Sequence, residues 1–173
     1  MRNMDIISTK IVQEKVINLE EAKSYLRVVG DHDDGFISSL IEASISFAES
    51  YIRKDIAKKE IIAQFSLQEN DVVEINAQPI YAINYIKIAG GDSAILEEGR
   101  DYKIYQRRKV AFAKHIRNCD LEISYISGMS RVEHNIKQAI LIYLGLLYDK
   151  EIISTNAVSN VYLLLLPHKT LNI

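Results

Sequence analysis

The longest apolar stretch of the chain spans residues 131–151, and its apolar side chains recur at intervals of three and four residues. The recurring positions are Ile136, Ala139, Ile140, Tyr143, Leu144, Leu147 and Tyr148. This spacing predicts an α-helix. Because Leu141, Ile142 and Leu146 extend the apolar surface around most of the circumference, we expect the helix to lie in the core. Gly145 in mid-helix lowers helix stability by about 1 kcal/mol relative to Ala. Close approach by another backbone would be a reason to keep a glycine there.

Two amphipathic helices are predicted near the start of the chain. Asn18 with Glu21 three residues later forms a capping-box pattern, so a short helix over residues 19–28 is expected to begin there. Gly30 ends that helix. A second helix is predicted over residues 34–54, where apolar positions again recur at helical spacing. Residues 1–17 lack this period and predict an extended arm.

The apolar period changes from helical to alternating in the middle of the chain. A strand block is therefore predicted over about residues 60–127. Its strands are predicted at residues 61–67, 72–75, 83–89, 101–106, 109–113 and 121–125. The fourth and fifth of these form a hairpin that turns at Arg107 and Arg108. Because the connections are short, we expect a mostly antiparallel sheet.

Apolar side chains at both ends of the chain exceed what the predicted core can bury. Residues 158–165 form a short helix that Pro167 closes, and three leucines lie off its buried face. These are Leu163, Leu164 and Leu166. The extended arm carries Ile6, Ile7, Ile11 and Val12 without a place in the core. Clustered exposed apolar residues mark contact surfaces, so both segments are predicted to form an interface between subunits.

These elements predict an α+β fold: a mainly helical bundle with an inserted block of short, mostly antiparallel strands. The bundle consists of two N-terminal helices, one long C-terminal helix and one short C-terminal helix. The domain organisation predicted is an N-terminal arm over residues 1–17, a single domain over 18–166 and a C-terminal tail over 167–173.

Composition places the chain among ordinary globular proteins. It has 173 residues, 48% hydrophobic and 25% charged, and this supports one domain with a sizeable core. The net charge of −2 gives no overall basic excess for nucleic-acid binding. A single cysteine, Cys119, excludes an internal disulfide framework. The first ten residues lack the apolar segment of a secretory signal, so we expect a cytoplasmic protein without a membrane span.

No pattern of reactive residues predicts an enzyme, so no catalytic residue, metal site or cofactor is expected. The four histidines have no metal-binding spacing, and phosphate- and dinucleotide-binding glycine motifs are absent. The acidic run 31–34 favours the positive end of the following helix, with a calcium loop as the lesser alternative. His115 precedes Cys119 by four residues, but no helix N-terminus is predicted there to activate the thiol.

One local cluster of charge stands out in this nearly neutral chain. Five basic residues fall within eleven positions on the predicted hairpin and the loop that follows it. They are Arg107, Arg108, Lys109, Lys114 and Arg117. They form either a solvated hairpin tip or a surface that contacts phosphates. The second possibility leaves open a DNA-binding regulatory protein.

Several segments in order resemble the head–tail connector proteins of tailed bacteriophages. The segments LEEAKSYLRV, DHDD and FISSLIEASISFAESYIRK resemble the opening of that family. The segment GRDYKIY resembles its strand entry after a turn. The segment LEISYISGMSRVEHNIKQAILIYLGLLYDKE resembles its last strand, loop and long helix. The resemblance covers roughly residues 17–165.

This resemblance implies a structural protein of the virion, at the head–tail junction of a phage or prophage particle assembled in the host cytoplasm. Such connectors form a ring under the portal protein, extend the DNA channel and dock the next head-closure or tail protein. A single domain of this length has a radius of gyration of only about 16 Å. Enclosing DNA therefore needs a cyclic homo-oligomer. The resemblance implies roughly twelve copies, which would match the portal ring. The basic hairpin residues would face the channel or the portal and touch passing DNA without sequence specificity.

Overall fold

A computed structural model describes residues 4–12, 16–68, 72–75, 79–90, 94–149 and 155–170. The helices are α1 (Leu19–Leu26), α2 (Asp34–Ile52), α3 (His134–Tyr148) and α4 (Thr155–Leu165), and a 3-10 turn (Leu166–His168) follows α4. The strands are β1 (Asp5–Ile11), β2 (Lys59–Leu67), β3 (Val72–Glu74), β4 (Ile80–Ile88), β5 (Tyr102–Tyr105), β6 (Lys109–Phe112) and β7 (Cys119–Ser127).

The prediction of a mainly helical bundle is wrong. Four helices and seven strands lie in the described part of the chain, and strands account for nearly as many residues as helices. The predicted arm contains β1, which pairs with β2. Strand β7 is nine residues long where strict alternation predicted five. The predicted antiparallel pairing is confirmed in both sheets.

Bulges explain why strand length was underestimated. A register shift in β1 falls between Ile6 and Ser8, so Ile7 interrupts the alternation. Strand β4 has two such shifts, which leave Tyr81 and Asn84 as extra residues. A bulge places one unpaired residue in a strand and breaks the period of two on which strand prediction depends.

The chain divides into two compact units. The sheet unit comprises residues Met1–Gln13 and Ala57–Ser130, and the helical unit comprises Glu14–Ile56 and Arg131–Ile173. The predicted division into an arm, one domain and a tail stays a prediction, because compactness alone does not establish which segments fold independently.

The sheet unit contains a four-stranded sheet of order β1-β2-β7-β4 and a three-stranded sheet of order β3-β6-β5. Alternate residues of β2 and β7 face the core, as expected when one face of an antiparallel sheet is buried. The largest fully buried side chains there include Ile61, Leu67, Ile123 and Tyr125. Gly128 ends β7 at φ +123°, and a Cβ there would lie 2.6 Å from the carbonyl oxygen of Ala57.

The helical unit packs the other helices around α3. The predicted core helix is confirmed, since Ile136, Ala139, Ile140, Leu141 and Leu144 are buried. The backbone predicted to lie close to Gly145 is not found. The neighbouring atom that a Cβ added at Gly145 would meet belongs to the ring of Tyr25, at 3.5 Å. None of the described helices is both long and apolar enough to cross a membrane.

The N-terminal helices begin where predicted and end earlier. The side chain of Asn18 accepts a hydrogen bond from the backbone N–H of Glu21 at 2.7 Å, which confirms the predicted cap. Helix α1 ends at Leu26, before Gly30, because Arg27 adopts a left-handed conformation with φ 57°. Helix α2 ends at Ile52 in the same way, at Arg53 with φ 58°.

The acidic run before α2 makes contacts within the helical unit. Asp34 accepts a hydrogen bond from the Lys23 ammonium at 2.6 Å, and Asp33 accepts one from the Tyr148 hydroxyl at 2.8 Å. The hydrogen bond to Asp33 raises the pKa of Tyr148. Among the described residues, no three acidic, histidine or cysteine side chains are grouped to hold a metal ion.

Candidate functional site

Strand β1 exposes apolar side chains on the face of the sheet that elsewhere forms the core. In the register with β2, Ile6 pairs with Ala63, Thr9 with Ile61 and Ile11 with Lys59. Directly paired residues of antiparallel strands point to the same face. Since Ile61 and Ala63 are core residues, Ile6, Thr9 and Ile11 lie on the inner face.

The core nevertheless leaves this part of the inner face uncovered. Met4 joins the buried cluster of the sheet unit, whereas Ile6 is 53% exposed and Ile11 66% exposed. Val12, which follows β1, is 44% exposed, and the bulge residue Ile7 is 56% exposed. We define Ile6 and Ile11, which share the inner face, as the β1 strip. All four predicted interface residues of the N-terminal segment are therefore accessible.

A second apolar strip lies at the end of α4. Leu163 is 67% exposed, Leu166 is 54% exposed and Tyr162 is 38% exposed, and these three side chains define the α4 strip. Residues three and four positions apart are neighbours on a helical surface, so the strip is continuous. Leu164, also predicted to contact a subunit, is half-buried.

Aromatic contacts fix the position of the α4 strip. The ring of Tyr162 lies 4.6 Å from that of Tyr51 and 5.7 Å from that of Phe47, both on α2. Phe47 in turn stacks on Tyr143 of α3 at 3.9 Å. Tilted and offset aromatic pairs contribute about 0.5–1.5 kcal/mol each beyond area burial. The strip is therefore presented on a packed surface of the helical unit.

The described part of the predicted C-terminal tail is packed against helices. The backbone N–H of Thr170 donates to the carbonyl of Ile52 at the end of α2, over 2.9 Å. The Lys169 ammonium lies 4.4 Å from the centre of the Tyr51 ring. His168 Nδ1 lies 3.6 Å from a Glu133 carboxylate oxygen. Residues 171–173 lie outside the described part of the chain.

The basic residues predicted to face a channel or portal lie on and beside the β5–β6 hairpin, whose turn is confirmed. Gln106 and Arg107 both have φ 52°, which forms a tight turn without glycine. Two of the basic side chains have partners within the sheet unit. Arg107 Nε donates to the carbonyl of Ile80 at 3.0 Å, and Arg108 Nε donates to Glu74 at 2.6 Å.

The other three basic residues differ in exposure, and Arg107 is itself exposed. Lys114 and Arg117 are exposed and Lys109 is half-buried. Lys109 and Lys114 make no ion pair with residues that the structure describes. The hairpin therefore combines two arginines that fix its position with lysines that can meet a charged partner.

Sequence reasoning missed a buried carboxylate that organises the loops beside this hairpin. Asp101 is 1% exposed, and its side chain accepts hydrogen bonds from Arg100 at 3.0 and 3.1 Å and from the Glu97 backbone at 2.8 Å. His115 Nε2 lies 2.9 Å from the same carboxylate. The Arg100 guanidinium, then the Glu97 N–H and His115, hold the pKa of Asp101 well below its usual range although burial opposes them. The sequence signal that could have pointed to this carboxylate is the segment GRDYKIY, which contains Arg100 and Asp101.

This arrangement engages one of the two residues that a cysteine enzyme would have used. His115 contacts Asp101, and burial together with Asp120 raises the pKa of the Cys119 thiol. A raised pKa lowers the fraction of reactive thiolate.

The outer face of the four-stranded sheet carries a polar network that the sequence also did not reveal. Glu122 on β7 accepts hydrogen bonds from Tyr85 at 2.9 Å and Gln64 at 3.2 Å, and it pairs with Lys87 at 2.8 Å. Lys87 and then Tyr85 lower the pKa of Glu122, and Glu122 raises the pKa of both. The charges on this face largely satisfy one another.

Comparison with known proteins finds a family match and several similar solved structures. Residues 16–97 match the family of phage gp6-like head-tail connector proteins. The resemblance to head–tail connectors is thereby confirmed over this segment, which runs from just before α1 to beyond the end of β4. No curated protein matches the sequence of the chain.

Solved structures share the fold of nearly the whole chain. A chain in the neck of an empty gene transfer agent (GTA) particle, computed with C6 symmetry, has a TM-score of 0.72 at 14% identity. A chain in the virion of the native particle has a TM-score of 0.70 at 16% identity. A chain in the neck of the native particle, computed with C12 symmetry, has a TM-score of 0.67 at 15% identity. Each match covers 96% of this chain and 97% of the other.

Proposed function

We propose that the protein is a structural head–tail connector that forms a ring beneath the portal of a phage or prophage particle. The family match over residues 16–97 is the observation that carries this proposal. The similar chains belong to necks computed with C6 and C12 symmetry, which supports a ring of roughly twelve copies. The protein acts by position and contact, and no catalytic step is part of the proposal.

The ring extends the DNA channel and docks the next head-closure or tail protein. Assembly takes place in the host cytoplasm, and the finished ring resides at the head–tail junction of the virion. The accessible strips on β1 and α4 supply the contacts between subunits. Large exposed apolar groups of this kind are typical of interaction sites.

The basic hairpin faces the channel or the portal. Lys109, Lys114 and Arg117 contact a charged partner, while Arg107 and Arg108 mainly hold the turn through Ile80 and Glu74. Contacts to passing DNA are non-specific, because isolated lysines reach phosphates without reading base edges. A regulatory DNA-binding role would need more accessible cations on a surface that fits a groove.

Ring formation on the portal tests the proposal. The purified protein is mixed with the portal protein encoded in the same genome, and the complexes are imaged by negative-stain electron microscopy. We expect an additional ring on one end of the portal, even if the protein alone is monomeric. Portals that remain undecorated at saturating protein would contradict the connector function.

A further inference from the structure

We infer that the β1 strip of one copy packs against the α4 strip of the next copy. The inference deepens the proposed function and rests on it, because it names the two surfaces that close the ring. A head-to-tail ring needs two different, complementary surfaces on every subunit. The β1 strip lies in the sheet unit and the α4 strip in the helical unit, so one chain carries both.

The two strips match in chemistry. Helix α4 contains no charged residue from Thr155 to Leu165. On β1 the charged residues Asp5 and Lys10 pair with Gln64 and Glu60, which places them on the outer face, away from the strip. Depletion of charged residues is the mark of an interface core, and both strips have it.

The strips also match in the charges at one end. Lys59 lies opposite Ile11 at one end of the β1 strip. The carboxylate of Glu133, 66% exposed, lies by His168 beyond the end of the α4 strip. Opposite charges at these ends favour one orientation, with Ile11 toward Leu166.

Pairing of β1 with another β1 is the less favourable alternative. Two identical edge strands that pair antiparallel generate a two-fold dimer, which does not close a larger ring. The bulge at Ile7 and the exposed Lys10 are features by which natural edge strands avoid such pairing. The side-chain face of β1, rather than its backbone edge, is therefore the contact surface.

Crosslinking between differently tagged copies tests the contact. All variants carry Cys119→Ser, and one copy carries Ile11→Cys while the other carries Leu163→Cys. The two are mixed in equal amounts with the portal protein, treated with a short bismaleimide and separated by mass. Ile95→Cys, 63% exposed in the sheet unit, replaces Ile11→Cys in one control, and Val29→Cys, 96% exposed in the helical unit, replaces Leu163→Cys in another.

We expect crosslinked pairs that contain one copy of each tag, and loss of those pairs in both controls. A second pair, Thr9→Cys with Leu166→Cys, gives the same result if either first variant folds poorly, because Thr9 is exposed on the same face as Ile11. Decorated portals without mixed crosslinks for both pairs would overturn the inference and leave the connector function standing. Undecorated portals with the Cys119→Ser parent would overturn both.

Discussion

At the scale of single residues, Asp101 is the group on which the polar contacts of the sheet unit converge. Its carboxylate joins Arg100, the Glu97 backbone and His115, and its own carbonyl accepts from Ala113 at 2.8 Å. One buried charge thus connects the loop before β5 with the segment after β6. Breaking such a buried network by removing the charge is costly, because its donors lose their acceptor.

We predict that Asp101→Asn lowers the melting temperature at neutral pH. The contacts of the charge hold the pKa of Asp101 below its ordinary value, so its stabilisation is present above about pH 4. That stabilisation is lost as the pH falls toward the lowered pKa. The difference in melting temperature between wild type and variant, followed by circular dichroism, should therefore shrink below about pH 4.

Asp120→Asn is the matched control for this prediction. Asp120 is an exposed carboxylate of the same unit that accepts one hydrogen bond, from Ser66 at 2.5 Å. We expect a much smaller effect than for Asp101→Asn. Equal effects of the two changes at neutral pH would show that Asp101 does not organise these loops.

At the scale of elements, two glycines with different surroundings predict opposite effects of the same change. Gly145 lies inside α3, and the ring of Tyr25 at 3.5 Å leaves room for a methyl group. Gly145→Ala should raise the free energy of unfolding by about 0.5–1 kcal/mol, because alanine favours the helix. Gly128→Ala should lower it by about 2 kcal/mol or more, since φ is +123° and the Ala57 backbone is too close. Urea denaturation measures both, and destabilisation by Gly145→Ala would contradict the first.

Helix α3 provides a second test at this scale. Leu144 is fully buried in the helical unit, so Leu144→Asp buries an uncompensated charge. We expect a loss of about 4 kcal/mol or more, seen as insoluble or unfolded protein. Leu163→Asp introduces the same charge at an exposed position and should leave the thermal transition of the monomer nearly unchanged. A soluble Leu144→Asp variant with native melting would mean that α3 is not the core.

The elements that sequence patterns predicted well are those with an uninterrupted period. Helix α3 and strand β2 keep their periods of 3.6 and 2, and both were found. Strands β1 and β4 contain bulges, and β1 also has exposed residues on both faces, so no buried alternation marked it. The amount of strand was underestimated for this reason.

The candidate surfaces were predictable to different degrees. Exposed Leu163 and Leu166 follow from helical spacing alone, whereas Leu164 is half-buried. The partners of Arg107 and Arg108 come from Ile80 and Glu74, which are distant in sequence. Contacts between distant residues leave no local pattern, so the paired state of these arginines could not be read from composition.

At the scale of the whole molecule, the proposed function depends on surfaces that meet other molecules rather than on an internal site. The two accessible apolar strips have one task in the proposed ring. The basic hairpin, in which Arg107 and Arg108 already have partners, has another. Apolar surface holds copies together, while the hairpin meets the channel or portal. A chain with net charge −2 also lacks a field that would retain DNA.

We predict that the isolated protein binds short DNA duplexes weakly and without sequence preference. Lys109 and Lys114 make no ion pair with residues that the structure describes and so can reach phosphates, but few cations contribute, so the dissociation constant at physiological salt should be micromolar or weaker. Fluorescence anisotropy over a range of salt concentrations measures both affinity and salt slope. Changing both lysines to alanine should reduce the magnitude of the slope by about 2, because each neutralised phosphate contributes about 0.9. Glu122→Gln on the outer face of the four-stranded sheet is the control and should leave the slope unchanged. Tight binding that distinguishes one duplex sequence from another would instead favour a regulatory protein that uses the same hairpin.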